Sequence, residues 1–297
     1  MPAASTPITT TFTVLELDGE TGRYIPRTYT ATITKSGVRF VAVNQKGGVS
    51  KTTSTVNLAA EFAAAGLSVL VVDLDPQANA SKGLGVDSNE AEVTMFEVLN
   101  PNSKERIPVA EAVTEVAPRL HLIPGHLALA SIEEHGAGPG TETLLSRVLR
   151  PAKDMYHVIL VDCPPNLGRL TVMGLSGGPE DEVDLMIPVK CGPYELDGIA
   201  NLLDTIDKLR ENGLGDFLRL IAVIATMHNG GRKVDQQVVN YLAANFPEEY
   251  IERPMRSAIR VVEAAAAGQP CRDFAPAEPI NGDMANLAHL MAKRALT

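Results

Sequence analysis

From Val38 onward, near-continuous apolar runs alternate with segments of helical period, and this alternation constrains the fold more than any other feature. The runs are "RFVAVNQ" (39–45), "SVLVVDLD" (68–75), "LHLIPG" (120–125), "HVILVDCPP" (157–165), "DLMIPVKC" (184–191) and "LRLIAVIAT" (218–226). A strand that is apolar at nearly every position has both faces covered, as in a parallel sheet flanked by helices. Between the runs, segments such as 52–65 and 195–211 carry apolar residues at helical spacing and end before Gly66 and Gly213. The expected fold class is α/β: a doubly wound, mostly parallel sheet with helices on both faces. Ligands of such sheets bind beyond the carboxyl ends of the strands.

Residues 1–37 follow a different rule. "TFTVLELD" and "RYIPRTYTATITK" flank "GETG" and alternate with period two, which predicts a β-hairpin with Pro26 at an edge or bulge; a partly disordered arm is the other reading. The expected division is therefore an N-terminal extension over 1–37 and a single α/β domain over 38–297. Segment 133–141, "EEHGAGPGT", has the composition of a surface loop. The final stretch, "NGDMANLAHLMAKRALT", predicts a helix that packs through Met284, Leu287, Leu290 and Met291. With Lys293 and Arg294 as its only cations, it makes a poor membrane anchor.

Composition excludes several function classes. A formal charge of −10 argues against coating nucleic acid by overall attraction, so DNA binding would need a local basic patch. No apolar run approaches a membrane span and the first residues lack a secretory pattern, so a cytoplasmic protein is expected. Cys163, Cys191 and Cys271 follow no metal-ligand spacing and read as packing thiols.

The chemistry concentrates in "NQKGGVSKTTSTVNLAAEF" (44–62), between a predicted strand and a predicted helix. Backbone N–H groups at a helix start attract phosphate. Gly47 and Gly48 would let the backbone approach the anion, Lys51 would neutralise phosphate oxygens, and the Thr52 hydroxyl suits magnesium. The common pattern G-x-x-x-x-G-K-[ST] is broken, however, because Gln45 and Ser50 stand where its glycines belong. Asp73 and Asp75 end one apolar run, with a spacing that points both carboxylates the same way. Asp162 ends another, where it could hold the water shell of magnesium.

Taken together, these motifs resemble the ParA-type partition ATPases of the deviant Walker A class, a branch of the P-loop NTPases. Lys46, Gly47, Gly48, Lys51, Thr52 and Thr53 match that class's K-G-G-x-G-K-[ST]-[ST]. The likeness extends through "VLVVDLDPQANAS" (69–81), "VILVDCPPNLGRLT" (158–171), "IPVKCGPYELDGI" (187–199) and "VVEAAAAGQP" (261–270). The resemblance implies ATP and Mg²⁺ as cofactors, a homodimer closed around two nucleotides, and slow, partner-stimulated hydrolysis. Nucleotide contacts would come from Lys46, Gly47, Gly48, Val49, Ser50, Lys51, Thr52 and Thr53. Lys46 would reach the partner's phosphates, Asp75 would orient the attacking water, and Lys51 would complete the catalytic set. Thr52 and Asp162 would serve the metal, with Asp73 in the same polar network.

Ser50 departs from the family's glycine. If its position needs a positive φ, serine costs on the order of 1 kcal/mol; alternatively its hydroxyl could bond a phosphate oxygen. The resemblance further implies binding of double-stranded DNA without sequence preference, through late basic residues: Arg232, Lys233, Arg253, Arg256, Arg260 and Arg272. Partition of a plasmid or chromosome over the nucleoid with a ParB-like partner is the implied function. Positioning of a protein cargo is the alternative, and a membrane-associated, MinD-like regulator is disfavoured by the terminal helix. An iron-protein reductase is disfavoured too, because Cys163 has no companion placed to share a cluster.

Overall fold

The computed structural model describes residues 7–178, 180–193 and 195–297. Its strands are β1 (Ile8–Leu17), β2 (Tyr24–Ile33), β3 (Val38–Ala42), β4 (Val69–Asp73), β5 (Thr114–Ala117), β6 (Leu120–Ile123), β7 (Val158–Asp162), β8 (Val183–Lys190) and β9 (Leu218–Thr226). The helices are α1 (Lys51–Ala64), α2 (Asn79–Gly83), α3 (Met95–Val98), α4 (Val109–Ala112), α5 (Leu129–His135), α6 (Leu144–Leu149), α7 (Arg169–Leu175), α8 (Asp197–Glu211), α9 (Lys233–Asn245), α10 (Ile259–Ala266), α11 (Cys271–Phe274) and α12 (Pro279–Ala295).

The main sheet runs β5-β6-β4-β7-β3-β8-β9 and is parallel except where β5 meets β6. All six predicted apolar runs became strands of it, and β3, β4 and β7 are buried at every position. Edge strand β5 was not predicted; its "TEVA" is half exposed and lacks an apolar run. The chain leaves β3 through α1 and returns as β4, passing over β7, which later fills the gap. Such a crossover leaves a crevice at the carboxyl ends of the central strands, the usual place for a ligand. Register sharpens the location, since Ala42 of β3 lies beside Asp162 of β7, and Asp162 lies beside Asp73 of β4.

The hairpin forms as expected, with β1 and β2 paired antiparallel from Ile8↔Ile33 to Leu17↔Tyr24. Pro26 sits in an unbroken register opposite Leu15, so it marks an edge and not a bulge. Residues 1–6, part of the expected arm, lie outside the described residues. The hairpin packs on α12, and Phe12, Val14, Ala31 and Ile33 are buried there. Phe12 meets Phe62 of α1 edge to face at 6.2 Å, and Phe62 in turn stacks on Phe40 of β3 at 5.8 Å. The extension thus shares the apolar layer on one face of the sheet. In α12, Met284, Leu287 and Met291 are fully buried and Leu290 partly, in line with the predicted packing face.

The predicted loop 133–141 needs correction. Residues up to His135 belong to α5, Gly136 ends that helix at φ 77°, and Ala137 is buried in the core. Glycine-rich composition marked the turn but could not reveal that Ala137 and Thr141 are buried. Among the described residues no helix is long and apolar enough to cross a membrane. All three cysteines are free and buried, as expected of packing thiols.

Candidate functional site

The loop between β3 and α1 opens into a cleft of about 430 Å³, lined by Gly47, Gly48, Ser50, Lys51, Thr52, Thr53, Asp75, Asn79, Lys82, Gly83, Pro165 and Ala265. Gly48 and Ser50 both take left-handed backbone, at φ 68° and 74°. This puts α1 immediately after a tight curl, and the unbonded amides of its first turn form an anion site. Ser50 therefore occupies the conformation that glycine favours, and its hydroxyl does not cap the helix. Val49, expected among the nucleotide contacts, turns its side chain into the core, and its carbonyl accepts a 3.1 Å hydrogen bond from the Thr226 hydroxyl.

Lys51 is almost wholly buried, and its ammonium donates to the Lys46 carbonyl at 3.0 Å, which draws the loop around it. Burial lowers its pKa, opposed by the charge of Asp162. Asp162 is fully buried and accepts from the Thr52 hydroxyl at 2.6 Å and the Thr55 hydroxyl at 3.4 Å. Burial and the neighbouring Asp73 carboxylate both push its pKa up. A carboxylate held in so costly a place favours a cation nearby.

Magnesium fits this arrangement. Thr52 and Asp162 supply two hard oxygens side by side, and Mg²⁺ takes few protein ligands when phosphates and water complete its shell. Among the described residues no group of three or more His, Cys, Asp or Glu side chains is placed to hold a metal ion.

The two acids at the end of β4 part company. Asp73 is fully buried; its Oδ1 accepts from the Asp75 amide at 3.1 Å, and its Oδ2 accepts from the Ser81 amide and hydroxyl at 2.8 and 2.7 Å. Gly125 comes so close that a Cβ there would lie 2.9 Å from the Asp73 carboxyl carbon. Asp73 thus braces the loop after β4 and does not line the cleft, while in register it stands beside Asp162. Asp75 does line the cleft, held by a 2.9 Å hydrogen bond from the Gln77 amide to its Oδ1. Period-two reasoning failed because β4 ends at Asp73 and the chain turns before Asp75.

Lys46 takes a third direction. Its side chain is not among those lining the cleft; the stem runs beside Gly198 and the ammonium lies 3.4 Å from Glu195.

The expected DNA-contact residues divide in two. Arg253 and Arg256 both grip Asp283, fully buried on α12, at 2.7 and 2.6 Å. Arg253 also donates to the Leu15 carbonyl of β1 at 2.6 Å, while Arg256 lies over the Tyr24 ring at 4.9 Å and donates to its hydroxyl. Arg272 pairs with Glu61 of α1 at 2.7 Å. These three partly exposed arginines tie elements of the fold together through their ion pairs. Arg232, Lys233 and Arg260 remain exposed, Arg232 and Lys233 at the start of α9 and Arg260 at the start of α10. Arg260 carries a surface ion pair with Glu263. A bridge between His228 and Arg256 brings the two segments side by side.

Asn79, Lys82, Gly83, Pro165 and Ala265 line the cleft without having been singled out as site residues. All but Lys82 and Gly83 fall within the stretches that carry the resemblance, so those stretches were the available signal.

Comparison with known proteins agrees with this geometry. A family profile described as an AAA domain matches residues 38–219. The chromosome-partitioning ATPase Soj of Thermus thermophilus is 36% identical over 243 residues, covering 81% of this chain and 90% of that protein. The structure of cobyrinic acid a,c-diamide synthase from Mycobacterium smegmatis, with bound ATP analogue and magnesium, aligns with a TM-score of 0.66 at 28% identity, over 74% of this chain and 84% of that one. Apo McdA from Cyanothece aligns with a TM-score of 0.72 at 20% identity, over 84% of this chain and 98% of that one, and so shares the fold. With the deviant loop in place at the carboxyl edge of the sheet and this degree of identity along most of its length, the chain belongs to the ParA/Soj-type partition ATPases and is an ATPase.

Proposed function

We propose that the protein binds ATP and magnesium in the cleft, pairs with a second copy of itself around two nucleotides, and in that form binds DNA without sequence preference, driving partition of a plasmid or chromosome with a ParB-like partner. The observation that carries this reading is the direction of Lys46. It precedes the phosphate loop, yet its side chain leaves the cleft, so it serves poorly as a ligand of its own nucleotide and well as a cation offered to a neighbour's. A positive charge delivered to the phosphates only on closure makes pairing depend on ATP and stabilises the charge that develops during hydrolysis.

Each remaining part has a role in the same scheme. The amides at the start of α1 and Lys51 hold the phosphates, Thr52 and Asp162 hold magnesium, and Asp75 orients the attacking water. Held there, magnesium would supply positive charge to the transferring phosphoryl group. Arg232, Lys233 and Arg260 supply the phosphate contacts to DNA, which need only reachable positive charge.

Gel filtration with and without ATP–Mg²⁺, using Asp75→Ala to slow hydrolysis and trap the pair, followed by DNA binding on each fraction, tests the reading. The pair should form only with ATP and should alone retain DNA, with affinity falling steeply as salt rises. Lys46→Ala should remove both properties, and reversing Lys233 and Arg260 to Glu should remove DNA binding while leaving the pair intact. Pairing by Lys46→Ala equal to that of wild type would overturn the proposal.

A further inference from the structure

Lys46 has a partner in its own chain that the proposed function does not use. Its ammonium lies 3.4 Å from the Glu195 carboxylate, and both side chains are mostly sheltered, at 35% and 17% exposed. The stem passes along the first turn of α8, where the built position of a Cβ on Gly198 is 3.5–3.6 Å from three of its carbons. The amino end of a helix carries partial positive charge, which repels an ammonium placed beside it. A lysine resting there needs a carboxylate to hold it, and Glu195, just ahead of α8, supplies one.

We infer that Glu195 is a latch on Lys46: it holds the lysine in its own protomer and competes with the partner's nucleotide for it, so that pairing must first break this ion pair. The inference rests on the reading that Lys46 reaches across to a second copy. Its consequence is a raised threshold for pairing. Separation of the Lys46 and Glu195 charges opposes closure, and the α8 dipole then favours the released lysine moving away. An ion pair in reach of solvent, as this one is, alters an equilibrium by about 1.5- to 5-fold. Because a symmetric pair must open two latches, the dimer dissociation constant should feel about 2- to 30-fold.

The test is sedimentation of the full chain over a series of protomer concentrations with ATP–Mg²⁺, comparing wild type, Glu195→Ala, Glu195→Gln, Lys46→Ala and the Glu195→Ala/Lys46→Ala double variant. Both Glu195 variants should pair at lower concentration than wild type and stay single without ATP. Their advantage should shrink between low salt and about 0.5 M salt, where exposed ion pairs are screened. In the double variant the gain should vanish, because it runs through Lys46. If Lys46→Ala abolishes pairing while both Glu195 variants pair no better than wild type, the latch is overturned and the proposed function stands. If Lys46→Ala pairs as wild type does, the proposed function falls and the latch falls with it.

Discussion

Ser50 illustrates how a single residue can depart from a motif and keep the motif's geometry. Its φ of 74° is the left-handed value for which glycine is suited, and its hydroxyl gives the helix no cap in return. An L-residue in that region costs about 1–2 kcal/mol. Ser50→Gly should therefore raise the stability of the protein by about 1 kcal/mol, read as a higher denaturation midpoint with an unchanged denaturant slope. Turnover should also rise if the strain slows adjustment of the loop, and equal midpoints for the two proteins would show that the surrounding fold absorbs the cost. The sequence predicted a problem at this position, but only the backbone angle showed that the problem is conformational. Asp73 and Asp75 carry the opposite lesson. Their spacing suggested a shared direction, yet the strand ends between them, so one braces a loop and the other faces the cleft.

At the scale of elements, the hairpin, α12 and the segment before α10 are bound together around one buried acid. Asp283 receives both Arg253 and Arg256, and these arginines reach on to Leu15 of β1 and Tyr24 of β2. Hydrogen bonding to Asp283 raises the Arg256 pKa, so the guanidinium stays charged there at any ordinary pH. Removing one partner of a buried charge network leaves the others unpaired, at about 3–5 kcal/mol. Asp283→Asn keeps the shape and loses the charge. It should destabilise the protein by about 2–4 kcal/mol, with residues 8–33 losing protection from hydrogen exchange ahead of the main sheet. Equal protection in variant and wild type would mean that Phe12, Val14 and Ile33 alone hold the hairpin. The period-two pattern was enough to foresee the hairpin, since Thr alternates with apolar residues over 11–14 and 28–33. Its docking partner was not legible, because an Arg drawn to a buried Asp and an Arg offered to DNA look alike in a string of letters.

For the whole molecule, the central fact is that β3, β7 and β4 end side by side, with the phosphate loop, Asp162 and the turn to Asp75 projecting from the same edge of the sheet. A ligand gripped there connects elements that are far apart in the chain and stabilises the fold by mass action. At about 100 times its dissociation constant, ATP–Mg²⁺ should add about 2.7 kcal/mol. Thermal unfolding should show this shift in wild type, a smaller one when EDTA removes the metal, and none in Lys51→Ala. A shift that persists in Lys51→Ala would place the nucleotide elsewhere.

What the amino-acid order determined unaided was local and periodic: strands apolar at every position, helices of period 3.6, a loop rich in glycine and lysine between them, and hence a parallel sheet with a phosphate site at its carboxyl edge. Those features depend on neighbours a few residues apart, and the physics that reads them acts over that range. Tertiary structure alone decided which of two nearby acids faces the cleft, which arginines pair with carboxylates of other elements, and that Lys46 rests against Glu195. Each of these is a contact between residues brought together by strand order and packing, and a side chain's role there depends on which charge or hydroxyl the fold sets beside it.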